Sequence, residues 1–566
     1  MKSMKWLAAA CIALAACSGD GTGSDNKAGP PSAVARPAGD AQQAAVGTAL
    51  PTPLKVRVTD AAGKATPNVS VAWAVTAGGG AVTPGSSVTD ANGEASATWT
   101  LGTQAGPQTA TATVAGLAPA TFTATASAGA AAQMTVVSGA DQLAIAGSEL
   151  TRNLTFKVTD QYGNPVAGQA VTLSVNAALA SLTGNGTATA ADGTVSTRVT
   201  VFPAAPRSTQ LRVTATAGAA TRGVDFYVRR PVLIYTRYSN TGARIHELDL
   251  LSETTRALTG ADEQAFTGAL SPDGSMLAYS RYNPGTTYND LVVLTLATGQ
   301  RRVVYAPGDR DVLLPSFAPD NETLVFTSYT YDADGSIVQS RVGTFNLRTA
   351  ALQSNLLGSG IVDMAQFGPD GRMVYVTWDD AADLFMRETS GATARVLNTP
   401  DVYDFDPAFL SASRLVHTCF RTAADASYDI CSVNTNGTDP RSSVDPEWED
   451  FDPTVSYDRL KIAFSSFPTD GAGGIDIYMG LTAGGGTLDV IPGTTDDEEL
   501  EAHFGLVGWN PAPGAAALSR LPAPGPGGAR LPVAVRNRVM ARHLPQGMPT
   551  LRGPSARTRR LQRSGF

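Results

Sequence analysis

The sequence predicts an all-β protein: two β-sandwiches in tandem, followed by a six-bladed β-propeller. Three observations carry this. A strand–turn–strand unit, Phe266 to Tyr282 (FTGALSPDGSMLAYSRY), recurs through the C-terminal half at intervals of roughly 40 to 50 residues, the size of one four-stranded blade. Ahead of it lies an internal duplication offset by 100 residues. The composition is rich in Ala, Thr, Val and Gly with only 16% charged residues, and its apolar residues fall in many short runs between turns. At 566 residues the chain has room for three or four domains, because single cores rarely exceed about 250–300 residues.

Residues 1–17, MKSMKWLAAACIALAAC, place two lysines before an apolar run of about a dozen residues. That run is too short to span a bilayer and suits an export signal. It ends Leu14-Ala15-Ala16-Cys17, which resembles the lipobox of bacterial lipoproteins. The resemblance implies cleavage before Cys17 and acylation of Cys17 as the membrane anchor; the alternative is an ordinary signal cleaved after an Ala. Several acyl chains, at ~0.8 kcal/mol per buried methylene, would make attachment lasting. Ser18 stands where an Asp would imply inner-membrane retention, so the outer membrane is expected, facing the periplasm or the exterior. Residues 18–45 are mostly Gly, Ser, Pro, Ala and Asp with almost no large apolar residue, and are expected to be a disordered tether.

The duplication comes next. Leu54 to Gly63, LKVRVTDAAG, matches Leu154 to Gly163, LTFKVTDQYG. In both copies alternating apolar residues enter a D-x-x-G turn, and a second alternating run follows, VSVAWAV from Val69 and AVTLSV from Ala170. Short strands with regular turns over such a length predict a β-sandwich in each copy, over 46–127 and 131–228. The pattern resembles bacterial immunoglobulin-like domains of the invasin/intimin type, from about Gln43 to Ala126 and Gln133 to Val228. Trp73 and Trp99 lie in alternating runs and are expected in the core. No cysteine cross-links either sandwich.

Residues 230–511 carry the blade repeat. After the first copy come LLPSFAPDNETLVFTSY from Leu313 and DMAQFGPDGRMVYVTW from Asp363, then two more divergent copies from Phe405 and Phe451. Pro-Asp-Gly is turn chemistry, Pro presetting φ and Gly free to take a positive one. The order xPxFxPDGxxLxFxS followed by DIYxxxxxxG resembles the repeat of TolB-type propellers, from about Arg230 to Pro511. That resemblance implies a fold and a binding role rather than a catalytic residue. Leu410 to Ser413 and Ser456 to Arg459 depart from the turn motif. The first blade begins at Arg230 without an inner strand, and Ala502 to Pro511 supplies it from the other end, closing the ring. Residues 512–566 hold ten Arg and no Lys, Asp or Glu, and lack any alternation, so disorder is expected there.

Chemistry is sparse. There is no G-x-S-x-G, H-E-x-x-H, P-loop or G-x-G-x-x-G signature, and the four histidines have no partner at ligand or triad spacing. Asp332-Ala333-Asp334-Gly335 lacks the third acid and distal Glu of an EF-hand and reads as a hairpin turn. Cys419 and Cys431 fall on neighbouring strands of one blade, as a disulfide or as two buried thiols. One constellation remains: acids before or at the start of each blade's inner strand, namely Asp262, Glu263, Asp309, Asp311, Asp363, Asp404, Asp406, Glu449, Asp450, Asp452, Glu499 and Glu501. Either they form a ring at one channel mouth that attracts a basic peptide or a cation, with calcium the candidate, or they are ordinary polar loop residues. Net charge is −8, or −18 without the tail, which argues against nucleic acid. The expectation is a monomeric, non-enzymatic, lipid-anchored envelope protein without a cofactor. Its sandwiches would act as spacers and its propeller would bind a protein or peptide, in adhesion or as a scaffold. The alternatives are a metal-assisted hydrolase or lyase at the propeller mouth, and a purely structural component.

Overall fold

Alternation of period two builds the sandwiches. The structure, a computed structural model, describes residues 27–507 and 559–564, apart from residues 185, 240–241, 334–336, 359, 379–381, 398–401, 422–427, 443–447, 469–474, 483 and 491–497. The export signal, Cys17 and most of the tail lie outside the described residues. In Leu54–Thr59 the alternation buries Leu54, Val56 and Val58 and turns Lys55 and Arg57 to the other face. This strand pairs with Ala33–Ala38 and Glu94–Leu101, and Gly80–Thr83 completes the sheet. The facing sheet runs Gln42–Ala45, Ala120–Ser127, Gly106–Thr113, Ser70–Ala77, Ser86–Val88. Between them Trp99 and Phe122 are fully buried and Trp73 nearly so, its Nε1 donating to Ser87 Oγ at 2.8 Å.

The tether is shorter than expected. Residues 33–45, assigned above to disordered chain, supply one edge strand to each sheet of the first sandwich. Ala33–Ala38 has a single large apolar residue, Val34, so it shows no alternation; backbone pairing with Leu54–Thr59 holds it. The second sandwich repeats the plan from Gln133, and Asp160 caps its D-x-x-G turn as Asp60 caps the first. Asp60 Oδ1 accepts from the backbone of Ala62 and Lys64, Asp160 Oδ1 from that of Tyr162 and Asn164, and Gly63 and Gly163 take positive φ.

No break separates the second sandwich from the propeller. Ala220–Ser239 is one 20-residue strand that pairs with Gln210–Ala217 in the sandwich and then with Gly242–Asp249 and Glu498–Val507 in blade 1. The C-terminal segment is therefore the inner strand of blade 1, antiparallel to a strand more than 250 residues earlier. Blades 2 to 6 follow as consecutive four-stranded sheets, with inner strands Ala265–Leu270, Asp311–Phe317, Val362–Phe367, Val402–Ser411 and Trp448–Val455. Apolar clusters fill the spaces between adjacent blades; Val292, Leu277 and Tyr279, for example, pack on Val232, Ile234 and Ile245 of blade 1. Where the turn motif is intact, Gly274 and Gly371 take positive φ; Asn321 and Arg459 occupy the same left-handed place without being glycine.

The tail also departs from expectation. Arg559–Ser564 forms a strand antiparallel to Gly484–Val490, the outer strand of blade 6. An outer strand presents a row of unpaired N–H and C=O groups, and an extended segment can pair with it without any alternation of its own. Among the described residues no helix is long and apolar enough to cross a membrane.

Candidate functional site

The inner strands share a device that no single repeat reveals. In each of blades 2 to 6 the pairing register slips within the inner strand, between Phe266 and Ala269, Leu313 and Ser316, Asp363 and Gln366, Phe405 and Ala408, and Phe451 and Thr454; blade 5 slips again between Phe409 and Ser411. The residue just after each of the five shared break points is left-handed although none is glycine: Thr267, Leu314, Met364, Asp406 and Asp452, with φ between 49° and 54°. A β-bulge turns its residue out of the pleat, and these five turn toward the axis. They line a channel cavity of about 80 Å³ shared with His503 and Ala502 of the closing strand. That strand slips at the same place, between Leu500 and His503.

Neighbouring bulges are linked. The N–H of Leu314 donates to Thr267 Oγ1 at 3.3 Å, and that of Asp406 reaches Met364 Sδ at 3.3 Å. The N–H of Asp452 donates to Thr418 Oγ1 at 3.2 Å, and Thr418 in turn donates to Asp406 Oδ2 at 3.3 Å. The wall is divided: blades 3 and 4 contribute Leu314 and Met364, blades 5 and 6 contribute Asp406 and Asp452.

The acids expected in one ring are dispersed. Counted back from the bulge, Asp363 stands one residue before it, Asp404 and Asp450 two, Asp311 and Glu449 three, Glu263 four, and Asp262 and Asp309 five. Strand residues alternate between faces, so these offsets send the carboxylates in different directions. Among the described side chains, only Asp406 and Asp452 of these acids reach the channel. Asp262 and Asp309 are exposed, and Asp309 pairs with Arg310 at 2.6 Å.

Asp311, Asp404, Asp363, Glu263 and Asp450 are buried, at 1 to 5% exposure, and each has an internal partner, as a buried carboxylate requires. Asp311 Oδ1 accepts from Asn289 N and Nδ2 at 2.9 and 2.8 Å. Asp363 accepts from the Tyr329 hydroxyl, and Glu263 from the Tyr279 hydroxyl and from Arg301 Nε at 3.0 Å. Asp404 Oδ1 lies 3.0 Å from His417 Nε2, and Asp450 accepts from Ser466 Oγ. The backbone of Glu499 and Glu501 lies in the closing strand, and their side chains are outside the described residues. Among the described residues no group of three metal-ligating side chains forms.

Charge concentrates between blades 5 and 6. Burial pushes the Asp450 carboxyl up to about 7, with Asp429 and Glu449 adding to the rise and the Ser466 hydroxyl opposing it. Burial likewise raises Glu449, whose Oε2 accepts the Tyr428 N–H at 2.6 Å. Cys419 and Cys431 form a disulfide with Cα atoms 5.8 Å apart, diagonal to each other across the pair Arg414–Arg421 and Tyr428–Asn434.

The sequence analysis did not single out Thr267, Leu314 or Met364. A signal was present: Leu314-Pro315, Asp406-Pro407 and Asp452-Pro453 put Pro inside an inner strand, where the missing N–H favours a sheet edge or a bulge.

Residues 38–127 match the bacterial Ig-like domain (group 1). Among curated proteins nothing matches the sequence. Among solved structures, TolB from Acinetobacter baumannii is similar at 12% identity and a TM-score of 0.40, over 53% of this chain and 80% of that one. A putative TolB from Agrobacterium tumefaciens is similar at 14% identity and 0.36, over 49% of this chain and 98% of that one. An oligogalacturonate lyase in complex with manganese is similar at 14% identity and 0.33, over 48% of this chain and 71% of that one.

Proposed function

We propose that this is a bacterial envelope protein whose propeller binds a protein segment through a basic side chain, with the sandwiches as spacers and acylated Cys17 as an outer-membrane anchor. The observation that carries the reading is the divided channel wall. A Lys or Arg side chain has an aliphatic stem and a charged tip, and so suits Leu314 and Met364 on one side and Asp406 and Asp452 on the other. A cavity of about 80 Å³ is well below the ~300–1,000 Å³ of small-molecule sites, yet admits one side chain. The match of residues 38–127 to a bacterial domain supports the envelope setting. In this reading the protein is a monomer, needs no cofactor and catalyses nothing; its role is adhesion or scaffolding.

The test titrates the full chain with an oligolysine peptide, an oligoglutamate peptide and calcium, read as a shift in melting temperature. Oligolysine should raise it, less at high salt, because charges are screened beyond about 8–10 Å at ordinary ionic strength. The Asp406→Asn/Asp452→Asn variant should lose the rise. Asn tolerates the left-handed conformation both positions require, so the fold is spared. An equal rise in the variant, or none in the parent, refutes the site. A rise with calcium alone that the variant loses would make it a cation site instead.

A further inference from the structure

The 100-residue offset of the sandwiches extends to the contacts each makes with the module after it. In the first sandwich the Thr103 carbonyl accepts from Asn164 Nδ2 at 2.8 Å, and the Ala105 N–H donates to Asn164 Oδ1 at 2.9 Å. In the second, the equivalent Pro203 carbonyl accepts from Arg230 Nη1 at 2.7 Å, and the Ala205 carbonyl from the same nitrogen at 3.0 Å. Gly47 is left-handed and bare, and a Cβ there would stand 3.1 Å from the Tyr162 hydroxyl. Gly147 is left-handed too, and a Cβ there would stand 3.3 Å from Leu251 Cδ2. One end of the fold thus serves twice as the same socket, once for a sandwich and once for a propeller.

Each plug is held from behind. Asn164 Nδ2 also donates to Asp160 Oδ2 at 2.8 Å, and that oxygen accepts the Gly129 N–H from the connecting segment at 2.9 Å. Arg230 is gripped by Asp249 through Nε at 2.5 Å and Nη2 at 2.8 Å. Beside it Glu247, 1% exposed, is shared between Arg207 of the sandwich at 2.6 Å and Arg256 of blade 1 at 3.0 Å. A short connection, residues 128–132, links the first sandwich to the second, and the second shares a strand with the propeller. Domains in one chain move relative to one another unless their interface is extensive, and here every junction is bonded on both sides of the connection.

We infer that the two sandwiches and the propeller form one rigid stalk, in which a repeated socket seats each module on the one before. Arg229 donates to the carbonyl of Asp273 in the turn after the inner strand of blade 2, so the sandwich abuts that face of the propeller. The opposite face, where the inner strands begin, is carried pointing away from the N-terminus. In the first sandwich the plug positions hold Ala62 and Lys64 instead of Tyr162 and Asn164, so the plug belongs to the second sandwich.

The test measures distances between spin labels on the full chain, on cysteines introduced at exposed positions: Thr125 with Ala191 across the upper junction, Gln210 with Thr349 across the lower. Each pair should give one narrow distribution. Inserting Gly-Ser-Gly-Ser after Ala128 leaves both modules whole and should at least double the width for the upper pair, and Asn164→Ala should broaden it in the same direction. Circular dichroism checks that each variant is folded; should Asn164→Ala fail to fold, the insertion still decides. A parent distribution as broad as that of the insertion variant overturns the rigid stalk, and a folded Asn164→Ala with parental width overturns the socket. Neither outcome depends on what the propeller binds.

Discussion

Asp450→Asn should make the protein much more stable at pH 8 and only slightly more stable at pH 4.5. Asp450 is buried beside Asp429 and Glu449, the Ser466 hydroxyl donates to it, and its folded pKa stands at about 7. In the unfolded chain an Asp titrates at about 3.9. Between those values the unfolded state gives up a proton that the folded state keeps, so unfolding becomes easier as pH rises. The gap of about three pH units amounts to as much as ~4 kcal/mol at 1.36 kcal/mol per unit, lost between about pH 4 and 7. Asn keeps an oxygen for Ser466 and carries no charge to set against Asp429 and Glu449. At roughly 2–4 °C per kcal/mol for a domain of this size, the variant should melt as much as about 8–16 °C higher at pH 8. Calorimetry of both proteins from pH 4.5 to 8 reads the difference directly, since slopes from other carboxylates cancel in it. Superposed curves, or a variant that melts lower at pH 8, would show that the carboxylate is not strained by ionisation.

Asp249 gives the opposite sign: burial alone would raise it, but Arg230 and the backbone N–H groups of Leu251 and Ser252 hold it down at about 2. Its stabilisation is present above about pH 3.9 and is lost as pH falls toward 2, so Asp249→Asn should flatten the acid limb of the melting curve. Replacing Cys419 and Cys431 together by Ser opens a crosslink across a separation of 12 residues and should cost about 3 kcal/mol in denaturant unfolding; reductant should have no further effect on the variant. Trp99→Ala empties the centre of the first sandwich and should cost about 3–5 kcal/mol in that module's transition, with the propeller's transition in place. Cys17→Ala should release the protein from membranes into the soluble fraction, and retention after a high-salt wash would rule out the lipid anchor.

The fold was legible wherever a side chain had to choose a face. Leu54, Val56 and Val58 announce a strand because burial demands period two, and Ser271 to Gly274 announces a turn because few other residues suit one. Ala33–Ala38 was not legible, since an edge strand held by backbone pairing asks little of its side chains. The join at residues 228–230 was read as a boundary because the sandwich pattern ends there and the blade pattern begins, but one continuous strand can serve two cores if its burial switches from one to the other. The candidate site was legible in part: Asp406 and Asp452 were among the acids singled out, but so were acids one to five residues before the bulge. Acids were visible near every inner strand, but which of them meets the channel depends on the bulge, and a bulge of one residue reverses the facing of everything after it. Asp363 and Asp404, ahead of the bulge, are internal ties, while Asp406 and Asp452, at the bulge itself, look into the channel.

Closing the ring with Glu498–Val507 imposes an order on how the protein can be made. Both sandwiches are complete in the chain by residue 239, and their contacts are local enough to form while synthesis continues. Blade 1 cannot be, because Arg230 waits for Val507. Until those last residues emerge, the strand Ala220–Ser239 carries an open edge on its propeller half, and the five later blades stack against an unfinished neighbour. Pairings so distant in sequence form slowly, and exposed edges in the interval invite association with other chains. Were the chain exported as proposed, it would cross its membrane in the same N-to-C order, and the vulnerable interval would fall in the envelope, where a folding helper that shields strand edges would matter most. A stop codon anywhere before residue 498 would leave the protein permanently in that state.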